Sequence, residues 1–259
     1  DQLSNARIGI QTGTIFDQLV QKELPDADYS YFNSLTDEIT ALEADKIDSF
    51  CCDEPAIRSA MQEDDQLDFL PEHLDSFDYA YILRKDEKAK KLCDLMSDFI
   101  REMKKSGKLD KLYDKWLTGG KDKASMPDID RLTGENGTLT MAVDASNRPF
   151  VFVRDNEAVG FEVELAILFC QKYGYGLEIQ NMSFDGILPA VTSGQADFGG
   201  SGISVTKERT QSVIFSEPHS TGGVVMVVLK GDDTAGNSTD SESEVVPEYT
   251  EFSQLSGKT

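Results

Sequence analysis

The sequence predicts an α/β protein of two lobes. Three observations carry this: short apolar strand-like runs alternate with amphipathic helical ones, the two halves of the chain repeat one plan, and 259 residues exceed what a single core comfortably fills. With 39% hydrophobic and 28% charged residues there is enough apolar material for real cores.

The elements follow in order. Residues 7–14 read as a short buried strand running into a Gly-containing turn, with a helix over 15–22. Ser34 with Asp37 three residues later resembles a capping box, and Leu35, Ile39 and Leu42 share one face of the next helix. Residues 47–52 read as a strand ending in Asp53-Glu54-Pro55. Residues 79–83 form another, followed by amphipathic helices over 87–103 and 108–117, broken at Ser106-Gly107. The Gly, Lys, Asp and Asn-rich stretch 118–137 reads as a linker. Beyond it come a strand over 139–143 ending at Asp144, a helix over 161–173, a strand over 177–180, a helix over 184–193, a strand over 196–200 and a β-branched strand over 223–229. Residues 39–50 and 187–198 share one plan: a helix, a tight polar turn, and an Asp-led strand delivering a polar loop. Such alternation implies mainly parallel sheets, whose ligands lie beyond the carboxyl ends of the strands, and two facing lobes make a cleft.

Composition excludes several functions. The 47 acidic against 25 basic residues give a net charge of −22. That argues against nucleic acid, whose phosphates need a basic surface, and against anionic lipid. No apolar run approaches the roughly 20 residues of a membrane span. Cys51, Cys52, Cys93 and Cys170 form no CxxC pair, so neither a zinc cage nor a disulfide framework is indicated and buried free thiols are expected. Only His73 and His219 exist, too few for a multi-histidine metal site, and a Ser-His-acid triad is disfavoured. No metal or cofactor is expected. Without an initiator Met or signal peptide, the chain reads as a mature or excised segment. Residues 231–251 contain seven acids and no Lys or Arg, and read as a solvated loop.

Several motifs together resemble the bacterial solute-binding proteins of family 3, the amino-acid receptors of ABC importers with the two-lobed type II periplasmic binding fold. They are Gly137-Thr-Leu-Thr-Met-Ala-Val-Asp-Ala-Ser-Asn-Arg-Pro-Phe150, Gly160-Phe-Glu-Val-Glu-Leu-Ala166, Met182-Ser-Phe-Asp-Gly-Ile-Leu-Pro-Ala190, Ser201-Gly-Ile-Ser-Val-Thr-Lys-Glu-Arg209 and Phe215-Ser-Glu-Pro218. The earlier half adds Ile8-Gly-Ile-Gln-Thr-Gly-Thr14, Asp53-Glu54-Pro55 and Gly107-Lys-Leu-Asp-Lys-Leu-Tyr-Asp-Lys-Trp116.

The resemblance implies a circularly permuted lobe order. Residues 1–78 would be the family's second lobe, 79–118 its return strand and closing helices, 119–136 a linker, 137–230 the first lobe, and 231–259 an acidic loop with the start of a crossover. Gln-Leu-Ser occurs at both ends of the chain, at Gln2 and Gln254, which favours a segment of a tandem-module parent over a natural permutation. Residues 119–137 can extend about 60 Å, at about 3.3 Å per residue, enough to bring 137–230 back onto 87–118. A monomer is expected, with a lobe-exchanged dimer as the alternative.

For the site, the resemblance implies that Arg209 grips an α-carboxylate bidentately. Ser201, Gly202 and Ser204 would add hydroxyl and backbone donors at a helix-start turn, and Thr12 and Thr14 would add donors from the facing lobe. Asp53 would accept from the α-ammonium or else cap a helix, and Thr12 and Thr14 could be turn residues alone. Phe184 would pack on the ligand side chain or belong to the core, and Asp144 would select the side chain or cap a turn. Asn147 stands where relatives carry an aromatic, His219-Ser220 where they carry tyrosines, and Ile15 and Phe16 where small or polar residues are frequent. These departures point to a small polar amino acid. Expected, then, is an extracytoplasmic receptor working with an ABC permease, or else the sensing ectodomain of a signalling protein. A dehydratase-like enzyme on this fold is the least favoured reading.

Overall fold

The computed structural model describes residues 6–118 and 124–230. The acidic stretch 231–251, both Gln-Leu-Ser ends and part of the expected linker lie outside the described residues. The described chain divides into two compact units, 6–76 with 223–230, and Phe77–Gly222.

In chain order the first unit supplies β1 (Arg7–Gln11), α1 (Phe16–Glu23), β2 (Asp28–Phe32), α2 (Leu35–Glu43), β3 (Ser49–Asp53), α3 (Glu54–Ala60) and β4 (Leu67–Phe69). Strand β5 (Asp75–Tyr79) carries the chain across to β6 (Ile82–Arg84), α4 (Glu87–Lys105) and α5 (Lys108–Tyr113), which runs on as a π-type turn over Asp114–Thr118. Next come β7 (Thr138–Val143), β8 (Ser146–Asn147), β9 (Val151–Arg154), β10 (Glu157–Val159), α6 (Phe161–Tyr173), β11 (Gly176–Asn181), α7 (Phe184–Ser193), β12 (Phe198–Gly199) and β13 (Val213–Phe215). Strand β14 (Ser220–Leu229) returns to the first unit.

Within 6–76 and 223–230 the sheet runs β2-β1-β3-β14-β4, with β5 also paired on β14. β1 is parallel to β2 and β3, and β14 is antiparallel to β3 and β4. The long strand is apolar on both faces, Val224 to Val228 all buried, because it lies inside the sheet with both faces covered. Phe77–Gly222 repeats the plan as β11-β7-β12-β6-β13: β7 is parallel to β11 and β12, and β6 is antiparallel to β12 and β13. In each unit one strand, β1 or β7, lies in the middle of the parallel triplet. The chain winds to one side and then to the other, so a crevice opens at the carboxyl edge of the central strand. The shared plan seen at 39–50 and 187–198 is α2–β3 in one unit and α7–β12 in the other.

Local chemistry explains the element ends. Ser34 Oγ accepts from the Asp37 amide and Asp86 Oδ1 from the Ala89 amide, capping α2 and α4. α6 and α7 end on left-handed Gly174 and Gly194. The strand expected over 79–83 is broken at Ala80-Tyr81, between β5 and β6. Of the expected linker, Met126, Ile129 and Leu132 pack against the core of Phe77–Gly222. That core also takes in Tyr81, Met96, Phe99, Ile100 and Trp116 with Met141, Phe161, Phe169 and Phe198, so the helices of 87–118 share one interior with the strands of 137–222. The four cysteines are free and buried, and burial pushes the Cys170 thiol up to about 12.

One buried charge is out of balance. Glu38 on α2 is 1% exposed among Leu35, Ala41 and Leu42, and its Oε1 has no hydrogen-bond partner. Desolvation, with Asp37 adding repulsion, raises its carboxyl well above the ordinary carboxylate range. A raised folded-state value leaves stability intact in acid and erodes it as pH climbs past the unfolded value. Glu38→Gln is therefore expected to match the native protein at pH 4 and to exceed it by about 1 kcal/mol or more at pH 8, read by urea unfolding. A native advantage at pH 8 would contradict this.

Candidate functional site

The carboxyl edges of the two parallel strand triplets gather nearly all the side chains singled out above. In Phe77–Gly222, Asp144 follows β7, Phe184 opens α7 three residues after the end of β11, and Ser201 and Gly202 follow β12. In the other unit Thr12 and Thr14 follow β1, and Asp53 is the last residue of β3.

Arg209 opens a 3-10 turn over Arg209–Gln211 that leads into β13. Its Nη1 donates to the Ser204 carbonyl at 3.0 Å, and its guanidinium carbon lies 5.7 Å from the centroid of the Phe184 ring. A half-buried guanidinium that donates to a main-chain carbonyl and lies beside an aromatic face has its orientation set by the fold. Phe184 is half-buried and also packs against the Ile187, Val191 and Ile203 cluster.

Ser201 and Gly202 do something other than offer free donors. No helix starts at this turn, contrary to expectation. The Ser201 amide donates to Glu162 Oε2 at 2.5 Å and the Gly202 amide to Glu162 Oε1 at 2.8 Å. Ser201 Oγ accepts from the Asp144 amide at 2.9 Å and donates to the Asp144 carbonyl at 3.2 Å. Asn147 Nδ2 donates to the Ser201 carbonyl at 2.8 Å. Asn147 thereby holds the turn, and Asp144, which accepts from the Ser146 amide and hydroxyl, caps its own turn.

At the other edge, Asp53 occupies the N-cap position of α3, yet its side chain makes no capping hydrogen bond. Thr14 Oγ1 donates to the Gln11 carbonyl and accepts from the Phe16 amide, a local turn role. The Thr12 amide donates to the Phe32 carbonyl, tying the loop after β1 to the end of β2.

Reasoning from sequence gave no role to Glu162, Glu164 or Tyr81. The first two lie in Gly160-Phe-Glu-Val-Glu-Leu-Ala166 as acids in the first turn of an otherwise apolar, buried helix. Acids so placed need partners, and that is the signal that could have found them. Glu164 accepts from Trp116 Nε1 at 2.7 Å and Lys115 Nζ at 2.5 Å. Tyr81 OH donates to the Glu162 carbonyl at 2.5 Å.

In doubly wound α/β proteins the loops at the carboxyl edges of the parallel strands are where small ligands, when bound, sit. Residues 139–252 match the bacterial extracellular solute-binding proteins, family 3. The chain is 37% identical over 92 residues to the arginine-binding extracellular protein ArtP of Bacillus subtilis, covering 36% of each chain. It is 33% identical over 113 residues to a probable histidine-binding protein of Campylobacter jejuni, covering 43% of this chain and 44% of that one. The solved arginine-bound form of domain 1 from TmArgBP is 32% identical and is covered to 89% by 42% of this chain, with a TM-score of 0.32. The chain thus spans less than half the length of these two curated relatives. Among the described residues no helix is long and apolar enough to cross a membrane.

Proposed function

We propose that this chain binds a free, small polar amino acid, with Arg209 gripping the α-carboxylate, as the substrate-binding part of an amino-acid ABC importer. The observation that carries the reading is the placement of Arg209: its guanidinium is oriented by the Ser204 carbonyl and the Phe184 ring beside the strand-end loops, and a guanidinium suits bidentate recognition of a carboxylate. Relatives named for binding arginine and histidine support an amino acid as the ligand class. In this reading Asp53 accepts from the α-ammonium, Thr12, Thr14 and Ser204 contribute donors, and Asp144 with Asn147 sets the polarity met by the ligand side chain. Binding needs no catalytic group and no cofactor. The receptor works outside the cytoplasm with an ABC permease, and its lobe order reflects a tandem-module parent.

A thermal-shift screen of the twenty common amino acids tests this. At least one should raise the melting temperature by mass action. Arg209→Ala should weaken that ligand about 100-fold, because a charge-assisted bidentate pair is lost, and Arg209→Lys should recover only part. Asp53→Ala should weaken it separately. An undiminished shift in Arg209→Ala would overturn the assignment.

A further inference from the structure

Glu162 stands out as a fully buried carboxylate whose partners are main-chain amides of the turn leading to Arg209. Both its oxygens are engaged, one by the Ser201 amide and one by the Gly202 amide. Its side chain and that of His219 are both 0% exposed, with His219 Nε2 3.2 Å from Glu162 Oε1 but out of hydrogen-bonding line. Tyr81 and Phe161 close over the histidine, with ring centroids at 5.1 and 5.4 Å. The helix that carries Glu162 adds the positive end of its dipole to the site of this charge.

What the carboxylate holds is a turn that would not hold itself. Ser201 has φ +125°, a left-handed conformation that costs a non-glycine residue energy and persists only where the surroundings over-determine it. Every polar atom of Ser201 is taken: its amide by Glu162, its hydroxyl by the Asp144 main chain, its carbonyl by Asn147. Gly202, at φ +65°, leaves room for the Phe150 ring, which an added Cβ would meet at 2.9 Å. Three residues beyond Ser201 stands Ser204, whose carbonyl fixes the Arg209 guanidinium.

We infer that Glu162 is a positioning residue: through the Ser201 and Gly202 amides it sets the turn from which Ser204 aims Arg209, and it thereby tunes ligand affinity without touching the ligand. This rests on the amino-acid reading above, and the test keeps the two apart. Hydrogen exchange at the Ser201 and Gly202 amides of the unliganded native protein comes first, since it needs neither ligand nor variant. Both amides should exchange at least 100-fold more slowly than exposed loop amides; exchange at loop rates would overturn the inference. In Glu162→Gln, one amide loses its acceptor and meets an NH₂ group. Exchange at these two positions should then accelerate tenfold or more while the strands β7 and β11 keep their protection, and affinity for the amino acid found in the screen should fall about tenfold. Glu162→Asp, which keeps the charge but withdraws it by one methylene, should lie between the two and serves if the Gln variant fails to fold. Accelerated exchange with unchanged affinity would overturn the positioning role. A native protein that binds none of the twenty amino acids would instead overturn the ligand reading, leaving the exchange result to decide the clamp.

Discussion

Gly160→Ala should destabilise the Phe77–Gly222 unit by about 4 kcal/mol or more, lowering its melting temperature by about 10 °C. Gly160 is the residue before α6, at φ +132° and ψ 179°, a region open to glycine alone. A Cβ there would lie 2.3 Å from the Phe150 carbonyl oxygen and 3.0 Å from that of Pro149. Those two carbonyls accept the Glu162 and Phe161 amides, so they satisfy the helix's first donors and cannot retreat without uncapping it. The Glu162 carboxylate would move with the helix start, and the Ser201–Gly202 turn with it. Gly137→Ala is the comparison: φ is +97°, but nothing lies within 4 Å of the added carbon, so only the conformational cost of about 1 kcal/mol applies. Differential scanning calorimetry of both variants reads the difference. Equal melting temperatures would show that the close approach to Phe150 is not what demands glycine.

Gly160 also shows what the sequence makes legible. The helices 161–173 and 184–193 were readable to the residue because punctuation and pattern agree: glycines end both, and apolar positions fill both. Strand β2 was not, since Asp28–Phe32 is an exposed edge strand with no buried face to produce alternation. The apolar run of β14 announced burial but not its sheet. Its neighbour β3 lies about 170 residues away, and a continuous apolar run fits any central position. The site divides the same way. Arg209, Asp144, Phe184 and Asp53 could be named because the motifs that carry the resemblance run through or beside them. That Ser201 and Gly202 already have an acceptor was invisible: Glu162 lies 39 and 40 residues away, across a fold the sequence does not draw.

Trp116→Ala should cost the same unit about 4 kcal/mol, and Trp116→Phe about 2 kcal/mol. The indole is fully buried, with its ring edge-on to Phe152 at 5.9 Å. Its Nε1 donates to Glu164 Oε2 at 2.7 Å, across 48 residues of chain. Removing the ring opens a cavity in the core that α5, α6 and β9 share and strips an apolar contact by which residues 87–118 join 137–222. It also takes the indole donor from the nearly buried Glu164 carboxylate, which keeps its ion pair with Lys115. Phenylalanine keeps most of the apolar surface but not the donor, so the difference between the two variants separates packing from the hydrogen bond. Trp116 is the sole tryptophan, so unfolding must be followed by circular dichroism rather than fluorescence. Pairing Trp116→Phe with Glu164→Gln in a double-mutant cycle isolates the bond, with a coupling of about 1–2 kcal/mol expected. A loss below about 1 kcal/mol for Trp116→Ala would mean that the helices of 87–118 are a loose appendage. The larger loss makes them part of the wall on which α6 stands, and α6 carries the carboxylate that sets the Arg209 loop.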